Sequence, residues 1–164
     1  MRLQVIAVGR LKAGPERDLV ERYQVRCTAL GRGLGFTGPI LLELPEGRER
    51  RAEERQAGEG ERIRERAGPS SLVIFDENAP LSTSEDFARR LAGWRDDGRE
   101  TLSLVIGGPD GLHPRIKGLA VWSVSFGRMT LPHQLVRALA LEQLYRAFTI
   151  IAGHPYHRAG GGGA

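Results

Sequence analysis

Cysteine is nearly missing from this chain of 164 residues, with Cys27 standing alone. One thiol cannot build a disulfide framework, so a reducing cytoplasm is the expected setting. Cys27 shares a helical stripe with Leu19, Tyr23 and Leu30 and reads as a packed thiol, not a nucleophile. Lysine is scarce too, at 2 residues against 22 arginines. Arginine suits phosphate recognition, but a bias this global reads more simply as genome composition. No apolar run approaches a membrane span. The opening MRLQVIAVGRLK lacks a signal-peptide cleavage pattern and reads as a first strand. Nucleotide fingerprints are also missing. Gly9-Arg10-Leu11-Lys12 follows the first strand without a G-x-G-x-x-G, and the GGPDG turn from Gly107 has the wrong spacing and a proline. There is no P-loop and no G-x-S-x-G elbow. These absences disfavour a nicotinamide oxidoreductase, a P-loop nucleotidase and a serine hydrolase. His154-x-x-His157 has no third ligand at metal spacing, so no metal is expected.

With 40% hydrophobic and 27% charged residues, the composition is that of a globular protein. The length predicts one domain over residues 1–158, followed by a disordered Gly-rich tail at 159–164. The net charge of +4 is unevenly placed. Residues 1–110 hold 18 basic side chains against 19 acidic ones. Beyond them, Arg115, Lys117, Arg128, Arg137, Arg146 and Arg158 face a single acid, Glu142, and all four histidines fall there too. That asymmetry suggests an anionic partner, nucleic acid being the commonest. A basic segment can equally balance acidic neighbours within the fold.

Along the chain, strands are predicted at Leu3–Val8, Ile40–Leu44, Ser70–Asp76, Thr101–Ile106 and around Ser123–Phe126. Helices are predicted from Pro15 to about Leu30, from the capping box Ser82-Thr83-Ser84-Glu85 through Trp94, over Pro114–Val121, and from Leu131-Pro132-His133 to Ile151. On the last helix, Leu135, Ala138, Leu139, Leu141, Leu144, Tyr145, Phe148 and Ile151 recur at helical spacing. Residues 48–67 read as a solvated helix, because Glu43–Arg66 holds eight glutamates and seven arginines, many three or four apart. Gly58 and Gly60 should break or loosen it. Strands alternating with helices predict an α/β domain with a mostly parallel sheet and helices on both faces. Ligands in such folds bind beyond the carboxyl ends of the strands. Three loops meet there, after Phe75, Ile106 and Phe126. Apolar walls and exposed backbone groups suit a neutral-to-cationic organic ligand carrying a purine better than a polyphosphate.

The combination of VIGGPDGL, SFGRMTLPHQLVRALALEQLYRAF and HPYHR resembles the SPOUT-class methyltransferases, and within them the bacterial RlmH family. The similarity runs from MRLQVIAVGR to HPYHR and is poorest over residues 46–67. The resemblance implies a C-terminal trefoil knot, which bottom-up topology rules would not foresee. It also implies a homodimer with the last helix at the interface, and an S-adenosylmethionine-dependent enzyme that methylates N3 of a pseudouridine in large-subunit ribosomal RNA, acting on assembled ribosomes. Carried over, the cofactor would meet Ile74, Phe75, Gly107, Gly108, Gly127, Arg128, Met129, Thr130, Leu131 and Pro132. His157 or Tyr156 would orient the base or relay a proton, and Arg158 would contact phosphate. Arg128, Arg137, Arg146 and His154 are candidate RNA contacts, with pairing to acids such as Glu142 the alternative for Arg137 and Arg146. A non-catalytic RNA-binding module on the same fold is the competing class, and it predicts RNA binding without the cofactor.

Overall fold

A computed structural model describes residues 1–156. Five strands, β1 (Arg2–Val8), β2 (Thr37–Leu44), β3 (Ser71–Phe75), β4 (Thr101–Ile106) and β5 (Ala120–Val124), alternate with five helices. These are α1 (Pro15–Arg32), α2 (Ala52–Ala67), α3 (Ser84–Asp96), α4 (Pro114–Leu119) and α5 (His133–Ile151). The strands form one sheet in the order β2-β1-β4-β3-β5. Every pairing is parallel, in agreement with the predicted class.

Side-chain alternation along the strands divides the core into two layers. Leu3, Val5 and Ala7 of β1 pack with Cys27 of α1, Leu91 of α3, and Leu141, Leu144 and Phe148 of α5. Ile6 and Val8 turn the other way, toward Ile63 of α2 and Ile116 of α4. Phe148 is fully buried and stacks on Phe36, ring centroids 4.8 Å apart. Each such burial contributes about 2 kcal/mol. Cys27 is buried as expected, and burial pushes its thiol far above the ordinary value. Among the described residues no helix is long and apolar enough to cross a membrane.

Several predicted boundaries move. β2 begins at Thr37 and runs through Pro39, which an edge strand tolerates. Gly38 is required there: at φ +93° a Cβ would come within 2.4 Å of the Leu3 carbonyl. α2 is continuous through Gly58 and Gly60. Gly60 is buried, and a Cβ on it would sit 3.1 Å from Ile116 Cγ1, so it brings α2 close to α4 instead of breaking the helix. The cap of α3 lies one residue later than predicted, where the Thr83 hydroxyl accepts the Asp86 N–H at 3.1 Å. β5 starts at Ala120 and ends at Val124, because its pairing with β3 runs out at Phe75. Pro132 is the N-cap of α5, not part of its first turn. Leu135 and Leu139 stay 40% and 37% exposed, so they are not core as their spacing suggested.

Candidate active site

The carboxyl ends of β3, β4 and β5 open into a cavity of about 630 Å³, within the range of small-ligand sites. Its walls are apolar at Phe75, Ile106, Phe126, Leu131 and Val136. Phe75 and Phe126 stack nearly parallel, 9° apart with centroids at 4.8 Å. Phe126, expected to end a strand, instead folds over the end of β3.

Backbone supplies much of the remaining surface, at Gly107, Gly108 and Gly127. Gly107 is packed so closely that a Cβ would meet Gly111 C and Leu112 Cγ at 3.0 Å. Behind Gly108, the limit is Val8 Cγ1, also at 3.0 Å. The loop from Phe126 is shaped by Ser125, whose hydroxyl donates to the Gly127 carbonyl at 2.6 Å and accepts the Gly127 N–H at 3.1 Å. Thr130 is tied across the opening to the Glu77 carboxylate at 2.9 Å.

Of the expected cofactor residues, Phe75, Gly107, Gly108, Gly127, Met129, Thr130, Leu131 and Pro132 line this cavity. Ile74 does not: the pleat turns it away into the α2/α4 layer, where it is 1% exposed. Arg128 is exposed and lines an adjoining depression with Glu77, Asn78 and Leu81.

Asp76 and Lys117 also line the cavity and were not foreseen. They form an ion pair. Burial alone would raise the Asp76 carboxyl, but Lys117 and the Asn78 N–H hold it below the ordinary carboxylate value. The available signal was an acid closing the predicted third strand, Ser70–Asp76. Nothing local paired it with Lys117, 41 residues away. His133 and Gln134, from the first turn of α5, complete this side. Burial, and then the charge of Arg137, push His133 below its ordinary value.

Two of the arginines expected to contact RNA are paired with acids of this chain. Arg137 has no exposed surface. It donates to Glu43 Oε1 at 2.9 Å and to the Val8 carbonyl at 2.6 Å, fastening α5 to the ends of β1 and β2. Its expected role in RNA contact is therefore corrected to a structural one. Arg146 forks onto Glu142 at 3.0 and 2.7 Å, the pairing read as the alternative. His154 is exposed, and its Nδ1 accepts the Tyr156 N–H.

Tyr156 folds back against α5, edge-on to Tyr145 and under the Arg146 guanidinium, with its hydroxyl 3.3 Å from Glu142. Burial first, and then its hydrogen bond with Tyr23, push its phenol up to about 12. From His133 at the cavity to Glu142 is about 14 Å along the helix axis, so Tyr156 rests away from the cavity of its own chain. His157, Arg158 and the Gly-rich tail at 159–164 lie outside the described residues.

Comparison with known proteins adds kinship to this geometry. A family model described as "Predicted SPOUT methyltransferase" matches residues 1–157. A protein of Methylorubrum populi named Ribosomal RNA large subunit methyltransferase H is 54% identical over 160 residues, covering 96% of this chain and 97% of that one. One of the same name from Methylobacterium radiotolerans is 54% identical over 165 residues, covering 99% and 100%. Among solved structures, a probable methyltransferase from Bordetella pertussis superposes with a TM-score of 0.54 at 13% identity, over 89% of this chain and 95% of that one. That likeness concerns the fold alone.

Proposed function

The chain belongs to the SPOUT methyltransferase family, among relatives named ribosomal RNA large subunit methyltransferase H, and on that premise we propose that it transfers methyl from S-adenosylmethionine to N3 of a pseudouridine in large-subunit (23S) ribosomal RNA. One observation carries the reading. The two loops that bear the family resemblance, at Gly107–Gly108 and Gly127–Pro132, line a single cavity beyond the sheet.

The cavity suits the proposed cofactor in size, in its stacked aromatic wall and in its backbone-rich loops. Phe75 would wall the ligand, Gly107 and Gly108 would bring main chain against it, and Gly127 to Pro132 would wrap it. Arg128, on the adjoining depression, would stand at the entrance. When bound, S-adenosylmethionine supplies an electrophilic methyl group on a sulfonium. The chain's own contribution is chiefly positioning, since an in-line displacement depends on alignment. The acceptor imide must also lose its proton. Lys117, ion-paired with Asp76, stands on the cavity wall, where its ammonium would stabilise the resulting anion.

The tail residues Tyr156, His157 and Arg158 are proposed to orient the target base and contact phosphate. They would act from a second copy of the chain, because Tyr156 packs away from its own cavity. Exposed Leu135 and Leu139 on α5 support a homodimer contact along that helix. Assembled ribosomes are the proposed substrate, with the particle's shape supplying recognition that so small a protein lacks. Such a substrate places the work in the cytoplasm.

The test is labelled methyl transfer to ribosomes lacking the modification, beside free large-subunit RNA, with mass spectrometry of the product. The expected result is one N3-methylated pseudouridine, on ribosomes only. No label with cofactor still bound would send the search to another acceptor. No cofactor binding would leave the RNA-binding module.

A further inference from the structure

The charged stretch that reads from sequence as a solvated helix is built against the Gly107–Gly111 loop of the cavity. Arg55, Gln56, Glu59 and Gly60 share one face of α2. Arg55 forks onto Asp110, with Nε to Oδ2 at 2.6 Å and Nη2 to Oδ1 at 2.9 Å. Its remaining nitrogen donates to the Glu49 and Arg50 carbonyls at 2.8 and 3.0 Å. Gln56 donates its side-chain amide to the Asp110 carbonyl. Glu59 is 3% exposed, and its Oε1 accepts the Gly47 N–H at 2.7 Å. The other oxygen, Oε2, has no partner and lies directly behind Gly108, 3.3 Å from where a Cβ would stand. One residue on, Gly60 seats α2 against Ile116 of α4, the helix that follows the loop, and against its N-cap, His113.

A purely solvated helix has no use for a buried carboxylate, a buried glycine and a two-pronged ion pair on one face. The Gly107–Gly111 turn itself closes with a backbone bond from Gly111 N–H to the Gly108 carbonyl at 2.9 Å. We infer that α2 is a brace for the Gly107–Gly111 loop, with Arg55 and Glu59 as positioning residues that fix the height of Gly107 and Gly108 in the cavity. A bidentate arginine–carboxylate pair defines both distance and angle, and the orphaned Glu59 oxygen marks how closely the loop is seated. The role in cofactor capture rests on the reading that this cavity takes S-adenosylmethionine; the mechanical brace does not.

Two readouts separate those statements. In the full chain, Arg55→Glu is expected to raise the KM for S-adenosylmethionine about tenfold or more while kcat at saturating cofactor stays near the parent value. The charge-reversed double variant Arg55→Asp/Asp110→Arg should recover much of that loss, and Gln56→Leu should give a smaller rise. A purely structural role would lower the melting temperature without moving KM, and would show no rescue by reversal. Amide hydrogen exchange at Gly107, Gly108 and Gly111 should quicken in Arg55→Glu and return toward the parent rate in the double variant. Unchanged exchange in folded Arg55→Glu would overturn the brace. If the parent protein binds no S-adenosylmethionine, the functional reading fails, and the exchange experiment still decides the brace. A folded Arg55→Glu with altered exchange but unaltered KM would overturn the link to cofactor capture.

Discussion

Arg137→Leu is expected to destabilise the protein by about 3 kcal/mol, the lower end for breaking a buried ion pair. The lower end applies because Glu43 keeps 19% of its side chain exposed while Arg137 keeps none. The substitution strands several groups together. The Val8 carbonyl loses its guanidinium donor, and Glu43 is left with the Leu11 N–H and Arg17. His133 and Gly9 lose the neighbour that packs beside them, since a Cβ on Gly9 would lie 3.2 Å from Arg137 Nη2. For a chain of 164 residues, the loss corresponds to a melting temperature roughly 6–12 °C lower. Arg137→Lys should fall between, because it keeps the charge without the fork. Urea or thermal unfolding checks this. A variant as stable as the parent that loses only ribosome methylation would restore Arg137 as an RNA contact.

Deleting His154–Ala164 should have the largest effect on activity. Methylation of ribosomes is expected to fall by about a thousandfold or more, the scale of removing groups that orient an acceptor or relay its proton away. Affinity for S-adenosylmethionine should stay within about threefold, because the described tail residues touch α5 and not the cavity. Tyr156 as placed is a poor base, since its phenol holds its proton at neutral pH. Its removal therefore tests positioning. Mixing the truncated chain with a full-length chain carrying Gly107→Val gives a sharper readout. If the tail serves the partner's cavity, each mixed dimer regains one complete site of two, up to half the activity of the unmodified dimer, although neither variant is active alone. Normal turnover by the truncated chain alone would end the proposal.

The parallel sheet was legible because its strands are short apolar runs bounded by glycine and polar turns, and both faces are covered. β4 needed only TLSLVI between Glu100 and Gly107. The last helix was harder. It is apolar nearly all round, so periodicity cannot say which leucines face the core. Leu135 and Leu139 face outward, whereas Arg137, the residue least suited to burial, faces in. Its partner Glu43 lies 94 residues earlier, and no local pattern reports a pairing at that range. Glu59 escaped for the same reason. Read locally, it is one acid among many. In three dimensions it is buried because Gly60 and Ile63 carry the same helix face against the sheet layer. The glycine loops could be named as candidates, but the Asp76–Lys117 pair between them required the fold.

The scarcity of lysine acquires a practical meaning from where the two lysines stand. Lys12 is exposed beyond β1, whereas Lys117 lines the cavity in contact with Asp76. The amino terminus is engaged by the Gly35 carbonyl at 2.7 Å. An acylating reagent therefore meets one side-chain amine that is indifferent to the cavity and one that belongs to it. The ratio of modification at Lys117 to that at Lys12 is an occupancy gauge already written into the native chain, with its own internal standard.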